Sequence, residues 1–423
     1  MSTVIENLKK ELTEKRIYNN IQNTLAAISE KGISIEGKTS DDLAELIDNI
    51  EVGGKYFPNG TEWTPSNIIP SSNIPSSSIA EVHFNNGIWI ARNLNADTIY
   101  YSNNGKYWSE VASIPVEKIT YGKGLWIAST DLEGLYYSTN GKDWTKIDMT
   151  NILDDSRYTN ISAYYYNGTW VAVAYDGDHH HTLIYSNDGI IWNKSNLLLL
   201  EFNVNCNIIY GNGVWILNVE DQDGRGNLYY SVDGKIWTQT SITCNSIVYG
   251  SNAFFAVTTD DMLMMSKNGY DWEMVLSLSA STTNTLQCCG DKIFIMDGSN
   301  TMLLREDLSV AIIIPDTILS ITYANDIWVA FTGGGNLLYS YDAIRWDTCT
   351  GYELSTGVYN IAYNNGIWIA ACSYEVNFSI DGINWFKSSH SNNNSAVYAI
   401  KYANGVWVMA TDEGLYYSVS WEP

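Results

Sequence analysis

Basic residues are scarce in this 423-residue chain: 23 Lys and Arg stand against 47 Asp and Glu, for a formal charge of −24. An acidic field repels phosphate backbones, and no basic stripe interrupts it, so nucleic-acid binding is not expected. Proline is rare, at 7 residues, which suits a chain built of strands. Cys206, Cys244, Cys288, Cys289, Cys349 and Cys372 show no CxxC spacing and no nearby His. Free thiols follow, rather than a disulfide framework or a zinc site. No apolar run reaches the length that crosses a bilayer, so membrane insertion is not expected. The first residues lack the apolar core and cleavage site of a signal peptide, and a chain made in the cytosol is expected. There is no nucleophile elbow, phosphate loop or HExxH motif, and nothing calls for a cofactor or a metal.

Aromatics are abundant instead, with 16 Trp and 30 Tyr. Many of them fall in two repeating motifs. The first is Ser-x-(Asn/Asp)-Gly-x-x-Trp, at Ser102–Trp108 and again from Ser138, Ser186, Ser231, Ser266 and Ser379; the copy from Ser340 has Ala343 in place of Gly. The second, (Asn)-Gly-φ-Trp-φ-Ala, centres on Trp89, Trp126, Trp170, Trp215, Trp368 and Trp407, with degenerate forms around Phe254, Phe294 and Trp328. Those nine copies are spaced 34 to 45 residues apart.

One repeat parses as strands over 79–84, 88–92 and 98–102 and a fourth from Tyr107, with turns at Asn86-Gly87 and Asn104-Gly105. Asn-Gly takes positive φ cheaply at both central positions, so two-residue type I′ hairpins are expected at both. Four antiparallel strands in about 40 residues, repeated along a chain, make a β-propeller. The last repeat stops after Ser418 without a fourth strand, while Asn59-Gly60-Thr61-Glu62-Trp63 is half a motif with no repeat before it. Because ring closure abolishes exposed strand edges, the 56–64 segment is expected to complete the C-terminal blade. The expectation is a mainly β fold: one large propeller over 53–423 with nine four-stranded blades, or eight if the degenerate sixth repeat does not count.

Residues 1–52 read differently. Ile5, Leu8 and Leu12, then Ile17, Ile21, Leu25 and Ile28, predict helix over 3–31; Gly32 caps it, and Ser40 can start a short helix over 41–50. The stretch Ala26-Ala27-Ile28-Ser29-Glu30-Lys31-Gly32-Ile33-Ser34-Ile35, followed by Thr39-Ser40-Asp41 and an Ile-terminated helix, resembles a module of phage tail and baseplate proteins. That resemblance covers about 30 residues and implies attachment to other tail or baseplate proteins and a place in the virion. The Ser-x-(Asn/Asp)-Gly-x-x-Trp element resembles the Asp-box of sialidase-like propellers, one residue shorter than the usual form. There it is a structural turn between a blade's third and fourth strands, so the Trp rings are expected to be packed rather than presented to sugars.

The repeated turns fall on one face of a propeller, and the loops after strands two and four on the other. Sequence variation concentrates in the second group, where function is expected. The candidate ligand-facing residues are Asp176, Asp178, His179, His180 and His181 in one loop and Asp221, Asp223 and Arg225 in another. Three consecutive His cannot converge on one ion, so the His loop reads as solvated rather than metal-binding. The resemblance to sialidases implies no sialidase chemistry here. The six Arg (Arg16, Arg92, Arg157, Arg225, Arg305 and Arg345) are not placed as that family's arginine triad requires. The favoured expectation is a receptor-binding tail or baseplate protein that attaches the virion to a bacterial surface carbohydrate. A polysaccharide-degrading glycoside hydrolase of Asp-box type, whose carboxylate pair leaves no local signature, is the alternative. A purely structural virion hub is another, and whether the chain forms a homo-oligomer is left open.

Overall fold

Two turns recur through the molecule and set its geometry. At Asn86-Gly87 both residues have positive φ, +50° and +75°, and the flanking Asn85 and Ile88 pair directly: the expected type I′ hairpin. The second turn is different. At Asn104-Gly105 only the glycine has positive φ (+72°), and Tyr101 pairs with Ser109, so the connection is the whole motif from Ser102 to Trp108. Its side chains explain why. Ser102 Oγ accepts the Gly105 amide at 2.9 Å, and Asn104 Oδ1 accepts the amides of Lys106 and Tyr107 at 2.9 and 3.0 Å. The indole of Trp108 donates to the Gly105 carbonyl at 3.1 Å. Two polar side chains thereby satisfy the amides a tighter turn would leave unpaired. The same bonds return at Ser186, Asp188 and Trp192, at Ser231, Asp233 and Trp237, and at Ser379, Asp381 and Trp385.

The computed structural model describes residues 60–67, 79–93, 97–130, 133–150, 152, 159–175, 181–199, 205–220, 226–278, 284–352, 358–372, 375–388 and 396–419. The expected helices of residues 1–52 lie outside them. The described residues belong to one unit, Pro58–Ser420. They are all β: seven four-stranded antiparallel sheets and one seven-stranded sheet. The seven-stranded sheet is two four-strand sets sharing one long strand, Thr238–Gly250, whose first half pairs with Gly226–Ser231 and second half with Ala253–Thr258. In chain order the sets cover 79–113, 116–146, 159–199, 205–243, 244–277, 285–314, 318–348, 358–387 and 397–419; they are called sets one to nine below. The first runs through Ile79–Asn85, Ile88–Asn93, Thr98–Ser102 and Ser109–Ser113, its fourth strand starting after Tyr107 because Tyr107 and Trp108 belong to the turn.

Second strands are the most deeply buried, with patterns such as Leu125–Thr130 and Val406–Thr411 buried throughout, while fourth strands such as Ser109–Ser113 are largely exposed. First strands of consecutive sets touch one another, Ile79–Asn85 lying against Val397–Ala403 and Val116–Gly122 against Thr159–Tyr166. The first strands therefore surround the axis and the fourth strands form the outer rim. Apolar clusters fill the seams between consecutive sets: Ile90 and Ile99 of set one meet Ile119 and Trp126 of set two, and so on round to Val406 and Val408 of set nine against Trp89 of set one. Sheets arranged radially in a closed circuit make this a β-propeller.

The circuit closes through both ends of the described chain. Thr64–Pro65 pairs antiparallel with Tyr416 and Tyr417 of the strand Gly414–Val419. Gly60 donates its amide to Ser418 Oγ at 2.7 Å, the same bond that Gly105 makes to Ser102. Trp63 is packed with Ile369, Met409 and Trp407. The recurring turn is here assembled from two pieces, Ser418 from one piece and Gly60 to Trp63 from the other.

Candidate ligand-binding mouth at the axis

The recurring turns follow strands one and three, so both kinds lie at one end of the axis. At the opposite end lie the starts of the first strands, the ends of the second strands and the connections between sets. That end carries a second repeated irregularity. In seven of the nine first strands a register shift falls within the first few residues, for example between Ile79 and Glu81, Val116 and Lys118, Ile318 and Ser320, and Val397 and Ala399. A bulge re-aims one side chain out of the regular alternation. Glu117 is exposed, and so are Leu319 (54%) and Tyr398 (40%). Residues before the shift, Ile79, Val116, Ile318 and Val397, stay buried and anchor the strands. The result is a mouth rimmed by out-turned side chains.

Just inside the mouth, sets one to three bring together an ionic cluster. Glu81 and Arg92 face each other across the first hairpin as direct partners. Arg92, only 6% exposed, donates from Nη2 to Glu81 Oε1 at 3.1 Å and from Nη1 to the Val116 carbonyl of set two at 3.0 Å. His83 Nε2 lies 3.0 Å from the other carboxylate oxygen. Lys118, the residue that follows the bulge of set two, places Nζ 3.4 Å from the ring centroid of Tyr164 in set three. Cations prefer such a ring face when partly desolvated.

These surroundings determine the charges. Burial alone would raise the Glu81 carboxyl, but the hydrogen bonds from His83 and Arg92 and their charges outweigh it and hold the group at about 2. Glu81 is therefore an ionised acceptor that positions Arg92 and His83, and it has no proton to give near neutral pH. Burial lowers the Lys118 amine to about 8, against the opposing pull of Glu81. An amine in that range holds a cation at pH 7 and begins to lose it in mild alkali. The mouth thus combines an anchored guanidinium, a titrating amine, exposed and half-buried rings, and amides such as Asn207 and Asn245. That mixture can stack on and hydrogen-bond a polyhydroxylated ligand.

Of the residues expected to face ligand, Asp176, Asp178, His179, His180, Asp221, Asp223 and Arg225 lie outside the described residues. His181 opens the strand His181–Ser186, its backbone paired with Tyr175 and Leu199. The strand ends that flank both loops, Tyr175 and His181 in set three and Glu220 and Gly226 in set four, lie at the mouth end. Glu81, His83 and Lys118 were not foreseen, and Arg92 was considered only as a sialidase arginine. A signal was there: charged residues occur in the first strands of sets one, two and nine alone, at Glu81, Glu117, Lys118 and Lys401, and these sets are neighbours in the circuit. Among the described residues, no three His, Cys, Asp or Glu side chains gather as metal ligands would.

No protein-family model matches the chain, and no curated protein matches it. Solved structures do resemble it in fold. The computationally designed Ika8 protein is similar at TM-score 0.49 and 9% identity, covering 84% of this chain and 100% of its own. Sqt1 from Saccharomyces cerevisiae is similar at TM-score 0.48 and 10% identity, over 87% of this chain and all of its own. Virginiamycin B lyase from Staphylococcus aureus is similar at TM-score 0.41 and 8% identity, over 85% and 100%.

Proposed function

We propose that this chain is a receptor-binding protein of a phage tail or baseplate, a nine-bladed disc that attaches the virion to a bacterial surface carbohydrate. Residues 1–52, which resemble a tail-protein module, would join it to other tail or baseplate proteins. The observation that carries the binding half is the difference between the two ends of the axis. At one end Ser, Asn or Asp, Gly and Trp are engaged in turns of the Asp-box kind. At the other, bulges leave Glu117, Leu319 and Tyr398 exposed around the mouth, and sets one to three add the ionic cluster of Glu81, Arg92 and Lys118. Rings and amides around an axial mouth suit sugar faces and hydroxyls, and affinity would come from repeated weak contacts.

The test is a glycan array probed with the full chain, paired with a reducing-sugar assay on any polysaccharide it retains. Retention without release is expected. Binding should fall at least fivefold with Tyr398→Ala while the thermal melt stays unchanged. Steady release of reducing ends would replace this reading with the Asp-box glycoside hydrolase. A chain that binds no cells yet needs residues 1–50 to enter particles would be a structural hub.

A further inference from the structure

Eight of the seams between sets are plugged at the turn end by an indole, from Trp63, Trp108, Trp144, Trp192, Trp237, Trp272, Trp346 or Trp385. In each case the ring comes from the turn of one set and packs against residues of the set before it; Trp108, for example, joins Val408 and Leu415 of set nine. The seam between sets five and six has no such ring, because the sixth turn, Arg305-Glu306-Asp307-Leu308, carries neither the Ser nor the Trp. It folds instead as a tight turn, the Leu308 amide donating to the Arg305 carbonyl at 2.9 Å with Leu308 held at φ +62°. Leu has a Cβ that disfavours this conformation, so the substitute turn is a strained one.

A cavity of about 850 Å³ lies beside this substitute turn, in the seam that lacks the ring. Its floor is apolar, made by Phe255 and Met265 of set five and Ile293, Leu303 and Leu304 of set six. Lys267 of the fifth turn, Arg305 of the sixth and Ile344 of the seventh stand around its opening. Most of the nearby charges are already matched. Asp291 pairs with Lys292 at 2.9 Å, Asp307 accepts from Ser309, and Asp342 accepts the amides of its own turn. Among the described residues, neither Lys267 nor Arg305 forms a salt bridge, and Glu306 is the one lining acid with no hydrogen bond or salt bridge of its own.

We propose that this cavity binds a planar aromatic group that carries a carboxylate, the ring entering the position held elsewhere by a turn Trp and the acid meeting Lys267 and Arg305. The site is separate from the axial mouth and lies at the opposite end of the propeller. Its volume falls within the usual range for ligand pockets, and a floor that accepts indole in eight sister seams is suited to a ring. The same chemistry could arrive as a free aryl carboxylate or as a Trp beside an acid in a partner's loop.

Isothermal titration of the full chain with indole-3-propionate, and separately with the peptide N-acetyl-Trp-Glu-amide, tests this. One-to-one binding of at least one probe is expected. It should weaken at least fivefold in Ile344→Trp, where a new ring at an exposed position fills the opening, and in the Lys267→Ala, Arg305→Ala pair. All three positions are exposed, and an unchanged thermal melt would show that the variants fold. Tighter binding of the free acid or of the peptide assigns the source of the ring, and either supports the site. No binding of either probe, or binding that survives Ile344→Trp undiminished, overturns it.

Discussion

At the scale of single residues, the two kinds of turn glycine make different demands although both have φ above +70°. A Cβ on Gly87 would meet nothing within 4 Å, whereas on Gly105 it would lie 3.1 Å from Val408 and 3.2 Å from the Trp89 ring. Gly87→Ala should therefore cost about 1 kcal/mol, the backbone penalty alone. Gly105→Ala should cost about 2–3 kcal/mol, since overpacking of a seam adds to it. Urea denaturation of the two variants measures the difference, and equal costs would mean that the seam yields freely. The seventh turn already holds Ala343 at φ +59°, fully buried. A side chain of that size is thus tolerated where the preceding set makes room. The motif's presence was legible in sequence, but its geometry was not: Asn-Gly predicts a type I′ turn at both positions. The capping by Ser102 and Asn104 side chains decides otherwise: the motif's resemblance implies a turn tied by a polar side chain, and the structure supplies the bond partners.

At the scale of the element, the first strands hold both the architecture and the candidate chemistry. The Glu81 carboxyl sits at about 2 in the folded chain against an ordinary 4.5. A depressed acid contributes stability that is fully present above about pH 4.5 and is lost as pH falls toward 2. With the side chain one-third exposed, screening reduces the contribution to the order of 2 kcal/mol. Denaturation midpoints across that window should fall more steeply for the native chain than for Glu81→Gln, and parallel curves would show that the carboxylate is not held as described. Lys118 works in the other sense: with its amine lowered to about 8, its burial costs stability at neutral pH, a cost relieved as pH rises toward 10.5. This cluster was hard to see in the sequence because strand alternation and hairpin register bring Glu81 to Arg92 across eleven residues, and Lys118 to Tyr164 across two sets. The repeat period could be counted by eye, but the phase of each side chain depends on bulges that no local motif announces.

At the scale of the whole molecule, eight of the seams share an indole plug, and one of those eight is made from separated pieces of chain. A strand count showed an incomplete last repeat and an orphan half-motif, and in the structure Thr64 and Pro65 lie against Tyr417 and Tyr416. What counting could not supply is the bond that joins the pieces, Gly60 to Ser418, or the burial of Trp63 to 9% exposure. If the split turn is equivalent to the continuous ones, substitutions should cost the same in both. Trp63→Ala and Trp108→Ala should each lose about 3–5 kcal/mol, the usual penalty for deleting a buried large aromatic side chain. Ser418→Ala and Ser102→Ala should each lose about 1–2 kcal/mol, since a buried amide is left without its acceptor. The split turn should differ in one respect: its pieces can separate without unfolding a blade, exposing the strand Gly414–Val419 as an unpaired edge. Hydrogen exchange at Tyr416 and Ser418 in Trp63→Ala should accelerate well before the global melt, while Trp108→Ala should leave amides in set one exchanging with the whole molecule. If Trp63→Ala left both the melt and these amides unchanged, the circuit would not depend on the split turn for its closure.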